Sequence, residues 1–149
     1  MIKKIAIWLL CTSILAVQTL NAEEKFLSLK KNKTNVRYGP SLDYPIKYIY
    51  RKVNLPVKQI DKKENWRRVI FLDNSSGWIH WSQLKPSNSI ISMEEKILFK
   101  KPSNFSEPLA KLEKGRLLVI KKCDGDWCNV TTNDYKGWIQ IKNVWGSTK

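Results

Sequence analysis

"ENWRRVIFLDNSSGWIHWSQL" (64–84) and "GDWCNVTTNDYKGWIQIKNVW" (125–145) are two versions of one pattern. Trp66 answers to Trp127 and Val69 to Val130, and the triplet Gly77-Trp78-Ile79 returns as Gly137-Trp138-Ile139. Upstream, "GPSLDYP" (39–45) matches "KPSNFSEP" (101–108), with Pro40 answering to Pro102. The spacing slips slightly from one pair to the next, which is what loop insertions between strands produce. The repeat therefore divides the chain into two units of ~60 residues, expected at 26–84 and 90–146 and joined by a polar linker, 85–89.

Each unit is a string of short β-type runs bounded by Gly, Pro, Asn, Asp or Ser, among them "NVRY", "IKYIYRK", "LPVKQI", "WRRVIF" and "GWIHW" in the first. No window sustains a helical period, and many short strands at close spacing predict a small all-β barrel. A unit this small buries little core, so large aromatics must carry much of it. Trp78 and Trp138, each following a Gly, are accordingly expected in the core.

"NVRYGPS", then the "ENW..V" hairpin, then "GWIHWSQL" resembles the bacterial SH3-like (SH3b) domain pattern. The second unit keeps "GDWCNV", "KGWIQIKNVWG" and "KPS" but replaces "NVR-x-G" with "KILFKKPS". The resemblance covers nearly all of the chain from Phe26 onward. It implies two tandem five-stranded barrels that bind a ligand rather than catalyse, in the manner of cell-wall targeting or peptide-binding modules.

The N-terminus indicates where such a module works. "MIKKIAIWLLCTSILAVQTLNA" (1–22) sets Lys3 and Lys4 before an apolar run from Ile5 to Val17, too short to span a bilayer comfortably. It has the form of a secretory signal peptide, with cleavage expected after Ala22. An uncleaved anchor is the competing reading; a lipoprotein acceptor at Cys11 lacks the small residue that normally precedes it. The expected location is periplasmic or secreted, with membrane contact only through an uncleaved signal peptide.

Cleavage would leave Cys123 and Cys128 as the remaining thiols, and an even number in an oxidising compartment favours a disulfide. If "LLVIKKC" and "WCNVTT" are strands joined by Gly125-Asp126 in a type II′ turn, the two cysteines face each other as a non-hydrogen-bonded pair. A structural staple is the leading reading, a regulatory or reactive pair the remaining one. One repeat earlier the same positions are Lys62 and Arg67, which argues against a catalytic or metal-binding pair. His80, the one histidine, brings the possible zinc ligands to three, short of a structural site. No cofactor or metal is expected.

Enzymatic activity is not expected either: His80 has no nucleophile to serve, and Asp43, Asp61, Glu64 and Asp73 stand in turn-like contexts where capping is the usual role. Binding is expected in the first unit, which has more aromatic surface than so small a core needs. Arg37, Tyr38, Tyr44, Trp66, His80 and Trp81 are the candidate ligand-binding residues, with Arg37 offering a carboxylate-binding fork and Tyr and Trp rigid contact area. The alternative role for these aromatics is core, or cover between the two barrels. The net charge of +14, or +12 without Lys3 and Lys4, attracts polyanions. Outside the cytoplasm these are cell-wall polymers, lipopolysaccharide or acidic membrane faces, and nucleic acid is not an expected target. The expected partner is therefore the cell wall, through a peptide or glycan, and the runner-up is an envelope protein in whose assembly this chain is a subunit.

Overall fold

The computed structural model describes residues 25–148; the expected signal peptide lies outside them. The described chain is all-β apart from one 3-10 turn, Trp81–Gln83. It forms two antiparallel sheets, one for each repeat.

The first sheet holds β1 (Lys25–Leu29), β2 (Thr34–Arg37), β3 (Ile46–Tyr50), β4 (Pro56–Lys63), β5 (Trp66–Ile70), β6 (Ser76–His80) and β7 (Leu84–Pro86), in the order β3-β2-β6-β5-β4-β1-β7. The second holds β8 (Ser89–Ser92), β9 (Lys96–Phe99), β10 (Pro108–Leu112), β11 (Leu117–Asp124), β12 (Trp127–Thr132), β13 (Tyr135–Gln140) and β14 (Val144–Gly146), in the order β10-β9-β13-β12-β11-β8-β14. The orders correspond position by position. Each sheet has seven strands where five were expected, because the short opening and closing segments pair as well. Ser87 and Asn88 alone separate the two sheets.

Period-2 alternation turns one face of each strand into a core. Leu27, Leu29, Val36, Val57, Val69, Phe71, Ile79 and Leu84 form the first; Ile90, Leu98, Leu112, Leu118, Cys128, Val130 and Ile139 form the second. Trp78 and Trp138 belong to neither. Gly77 and Ile79 face inward, as do Gly137 and Ile139, so the intervening tryptophans lie half-buried on the outer face. The expectation that they are core residues fails because a strand with apolar residues on both faces leaves the choice to the curl of the sheet.

The two central hairpins have the expected register. Lys62 faces Arg67 and Cys123 faces Cys128; the cysteines are disulfide-bonded, with Cα atoms 4.0 Å apart. Gly125 takes the positive φ (+55°) that the first loop position of this turn demands. Its counterpart Glu64 is forced into the same region, φ +48°.

The opening strands of the two units meet. Leu27 and Leu29 point inward, which leaves Ser28 on the other face of β1, where it is fully buried against Ser89 of β8, their hydroxyl oxygens 2.9 Å apart. The Ser89 hydroxyl in turn donates to the Asn54 carbonyl, so Ser28 donates to Ser89. Beside them Trp145 stands edge-on to Phe26, ring centroids 5.2 Å apart, and its indole N–H donates to the Pro56 carbonyl at 3.2 Å.

Candidate functional site

The outer face of β2, β6 and β5 is built by register. Trp78 sits opposite Arg37 on one side and Arg68 on the other, a tryptophan between two guanidinium-bearing residues. Lys47, from the edge strand β3, reaches across to donate to the Ser76 carbonyl at 3.0 Å. Its ammonium lies 5.5 Å from the Tyr38 ring centroid and 5.2 Å from that of Tyr48, within cation–π range of both. Together Arg37, Tyr38, Lys47, Arg68, Ser76, Gly77 and Trp78 line a depression of about 240 Å³. Three cations, two aromatic side chains and no carboxylate suit an anionic group carried on a flat or ring-bearing ligand.

Arg37 is partly committed. Its Nη1 donates to the Tyr44 carbonyl at 2.7 Å and to that of Leu42 at 3.3 Å, holding the loop after β2; Nη2 and Nε make no hydrogen bond among the described residues. Tyr44 lies over Gly39, where its ring carbons would be 2.5 Å from any added Cβ. It is as much a brace for the loop as a contact surface. Tyr38 is freely presented, 61% exposed.

The remaining three candidates form a second group one row along the same strands. Trp66 pairs with His80 in register, rings edge-to-face at 5.3 Å. Trp66 is buried. His80 Nδ1 accepts from the Ser82 N–H at 3.4 Å and lies 2.8 Å from the Ser82 hydroxyl, capping the 3-10 turn. Trp81, the first residue of that turn, is exposed, its ring 6.3 Å from that of His80. The structure thus brings Arg37 and Tyr38 into one depression and sets Trp66, His80 and Trp81 beside it. Lys47, Arg68 and Trp78 were missed from sequence. Lys47 is one of many lysines, and a tryptophan that follows a glycine reads as core; the signal for Trp78 is Gly77 and Ile79, two small-or-aliphatic positions flanking it.

The second unit has the same row with different chemistry. Phe99, Trp138 and Asn129 replace Arg37, Trp78 and Arg68. Phe99 packs edge-on against Trp127 at 5.7 Å, and Lys122 lies 5.5 Å from the Trp138 ring centroid. The guanidinium pair is a property of the first unit. Among the described residues no three His, Cys, Asp or Glu side chains gather as a metal site would require, and no helix is long and apolar enough to cross a membrane.

A family model described as a bacterial SH3 domain matches residues 30–86 and again 93–146. Among solved structures, NlpC2 from Trichomonas vaginalis aligns at 14% identity and TM-score 0.39, over 83% of this chain and 48% of its own. NlpC1 from the same organism aligns at 14% identity and TM-score 0.37, over 81% and 45%. The chain thus spans about half the length of these two structures. No curated protein matches the sequence significantly.

Proposed function

The chain belongs to the bacterial SH3 domain family, and from that premise we propose that it is a non-enzymatic binding module of the cell envelope, periplasmic or secreted, that holds a cell-wall peptide or glycan on the outer face of its first unit. One observation carries the reading: Arg37, Lys47 and Arg68 surround Trp78 and Tyr38 in a single depression free of carboxylates. The muramyl peptides of the wall carry free carboxylates beside sugar rings, the combination that guanidinium groups and an aromatic face accept together. The absence of the guanidinium pair from the second unit supports a division of labour between two otherwise similar barrels.

Co-sedimentation with purified peptidoglycan tests this. The protein is expected to pellet at low salt and to be released as salt screens the cations. Arg68→Ala combined with Lys47→Ala should weaken pelleting roughly tenfold. Failure to pellet at low salt, or pelleting untouched by these substitutions, overturns the proposal.

A further inference from the structure

The two units share one plan, so a place where the strand edge of one is bridged by side chains and that of the other is open is informative. In the first unit the outer edge of β3 is closed against the turn between β5 and β6. Tyr50 lies flat on Phe71 with centroids 3.9 Å apart, its hydroxyl is 3.1 Å from that of Ser75, and Lys47 reaches Ser76. The strand registers put Leu112, Thr132 and Leu109 of the second unit where the first has Tyr50, Phe71 and Lys47. A stacked pair of rings becomes a leucine and a threonine, and the crossing cation becomes a side chain with nothing to donate. What remains is a groove of about 400 Å³ between β10 and the turn that begins at Thr132, whereas the corresponding hollow of the first unit, about 260 Å³, meets its edge strand only at Tyr50.

Four consecutive residues, Leu109 to Leu112, line this groove. Neighbouring side chains leave a strand by opposite faces, so such a run lies along the strand's edge. That edge is open: β10 is the end strand of its sheet, pairs with β9 on one side, and on the other makes no backbone hydrogen bond among the described residues. Past Arg116, Thr132 and Asn133 the groove continues into a second hollow of about 300 Å³ that reaches Lys52 of the first unit. No carboxylate lines either part. Lys111 is neutralised by Glu95 at 3.0 Å, but Arg116 and Lys52 make no ion pair among the described residues.

We propose that this groove docks an extended acidic peptide, added as a further strand on the open edge of β10 with its carboxylates turned toward Arg116 and Lys52. Main-chain hydrogen bonds to the edge supply affinity and the unpaired cations select the charge. Exposed Leu109 and Tyr135 offer apolar contact to the alternate side chains of the incoming strand. The groove is lined mainly by the second unit, with Lys52 to Asn54 of the first at its far end, and it shares no lining residue with the Arg37–Trp78 depression.

The test titrates the purified protein into a fluorescein-labelled octapeptide of alternating Val and Glu, and into its Val-Lys counterpart, by fluorescence anisotropy. The Glu peptide is expected to bind and the Lys peptide not. Arg116→Glu with Lys52→Glu should weaken binding about tenfold or more. Leu112→Tyr with Thr132→Phe, which copies the ring stack that bridges the edge of the first unit, should abolish it. Amides of Leu109 to Leu112 should gain protection from hydrogen exchange in the complex. Equal binding of the two peptides, indifference to the charge reversals, or binding without protection on β10 overturns the proposal. Displacement of the peptide by dextran sulfate with no protection on β10 would likewise assign the cations to anionic polymers instead. If the groove-filling variant does not fold by near-ultraviolet circular dichroism, the charge reversals and the exchange measurement decide alone.

Discussion

Ser28 of the first unit and Ser89 of the second share a buried hydrogen bond, 2.9 Å between hydroxyl oxygens, at the seam where their opening strands meet. A hydroxyl out of reach of water is costly unless paired, and these two satisfy each other and the Asn54 carbonyl. The polar pair fixes register across the seam, while Phe26 and Trp145 supply the apolar contact beside it.

Trp145→Ala removes that contact together with the indole bond to Pro56. A loss of about 2 kcal/mol is expected for a half-buried tryptophan. Urea denaturation followed by tryptophan fluorescence should then separate into two transitions, one for each unit. A single transition at the original midpoint would mean that Trp145 does not carry the coupling between them.

The turn of the first central hairpin is strained where that of the second is not. Glu64 holds φ +48° and its counterpart Gly125 holds +55°, a region costly for residues with a Cβ. Glu64→Gly should stabilise the protein by about 0.5–1 kcal/mol after the entropy of the added glycine is discounted. The Arg67 bond to the Glu64 carbonyl at 2.8 Å is a backbone contact and survives the change. An unchanged or lower urea midpoint would contradict this.

The first unit closes the same hairpin with Lys62 and Arg67, so removal of the Cys123–Cys128 bond should weaken the second unit without changing the fold. Closing so short a loop is worth about 2 kcal/mol. Chemical denaturation with and without reductant, paired with far-ultraviolet circular dichroism, checks both parts. Loss of strand signal on reduction at room temperature would show that the cysteines specify the hairpin, which Lys62 and Arg67 argue against.

Asp73 accepts hydrogen bonds from the Ser75 hydroxyl at 2.5 Å and the Ser75 N–H at 2.9 Å, and the Ser75 hydroxyl above all holds its carboxyl below the usual range. A depressed pKa means that the folded state prefers the carboxylate. The stability it contributes is present above the unfolded pKa, near 4, and is lost as pH falls through the lower folded value. Asp73→Asn should therefore flatten the acid limb of a stability–pH profile below about pH 4 and leave the profile's shape above it unchanged. A parallel acid limb in the variant would remove Asp73 from the account.

Neighbours on β6 should behave oppositely. Ile79→Ala empties a fully buried site and should cost about 2–5 kcal/mol. Trp78→Ala, on the outer face, should cost less stability and more binding to peptidoglycan. Thermal melts set against pelleting separate the two, and a Trp78 variant that unfolds like the Ile79 variant would return the tryptophan to the core.

Much of the architecture was written in spacing. The nearly constant offset of the two Gly-Trp-Ile triplets and of the Trp and Val residues before them marks out the two units, and the pairs Asp124–Trp127 and Cys123–Cys128 follow from placing a tight turn at Gly125-Asp126. Hairpin register is local chemistry, because a turn of known length fixes which residues face each other. Of the candidate site, Arg37 and Tyr38 were legible as a polar–aromatic excess near one strand. Lys47, Arg68 and Trp78 were not, since they join Arg37 through pairings between β2, β3, β5 and β6 that no local window contains.

The repeat, the all-β class, the central hairpins and the cysteine pair can be read along the chain, because each rests on near-neighbour contacts or on a pattern copied from one unit to the next. Which face of β6 turns inward is settled by long-range packing. Gly77 leaves room there for Val36, whose Cγ1 would lie 2.4 Å from an added Cβ, so Ile79 enters the core and Trp78 is turned outward between two arginines. The same packing brings Tyr50 and Phe71 together as a stack that bridges an edge which Leu112 and Thr132 leave open. Both outcomes depend on which distant strand lies alongside, and that is settled by packing the whole sheet around its core.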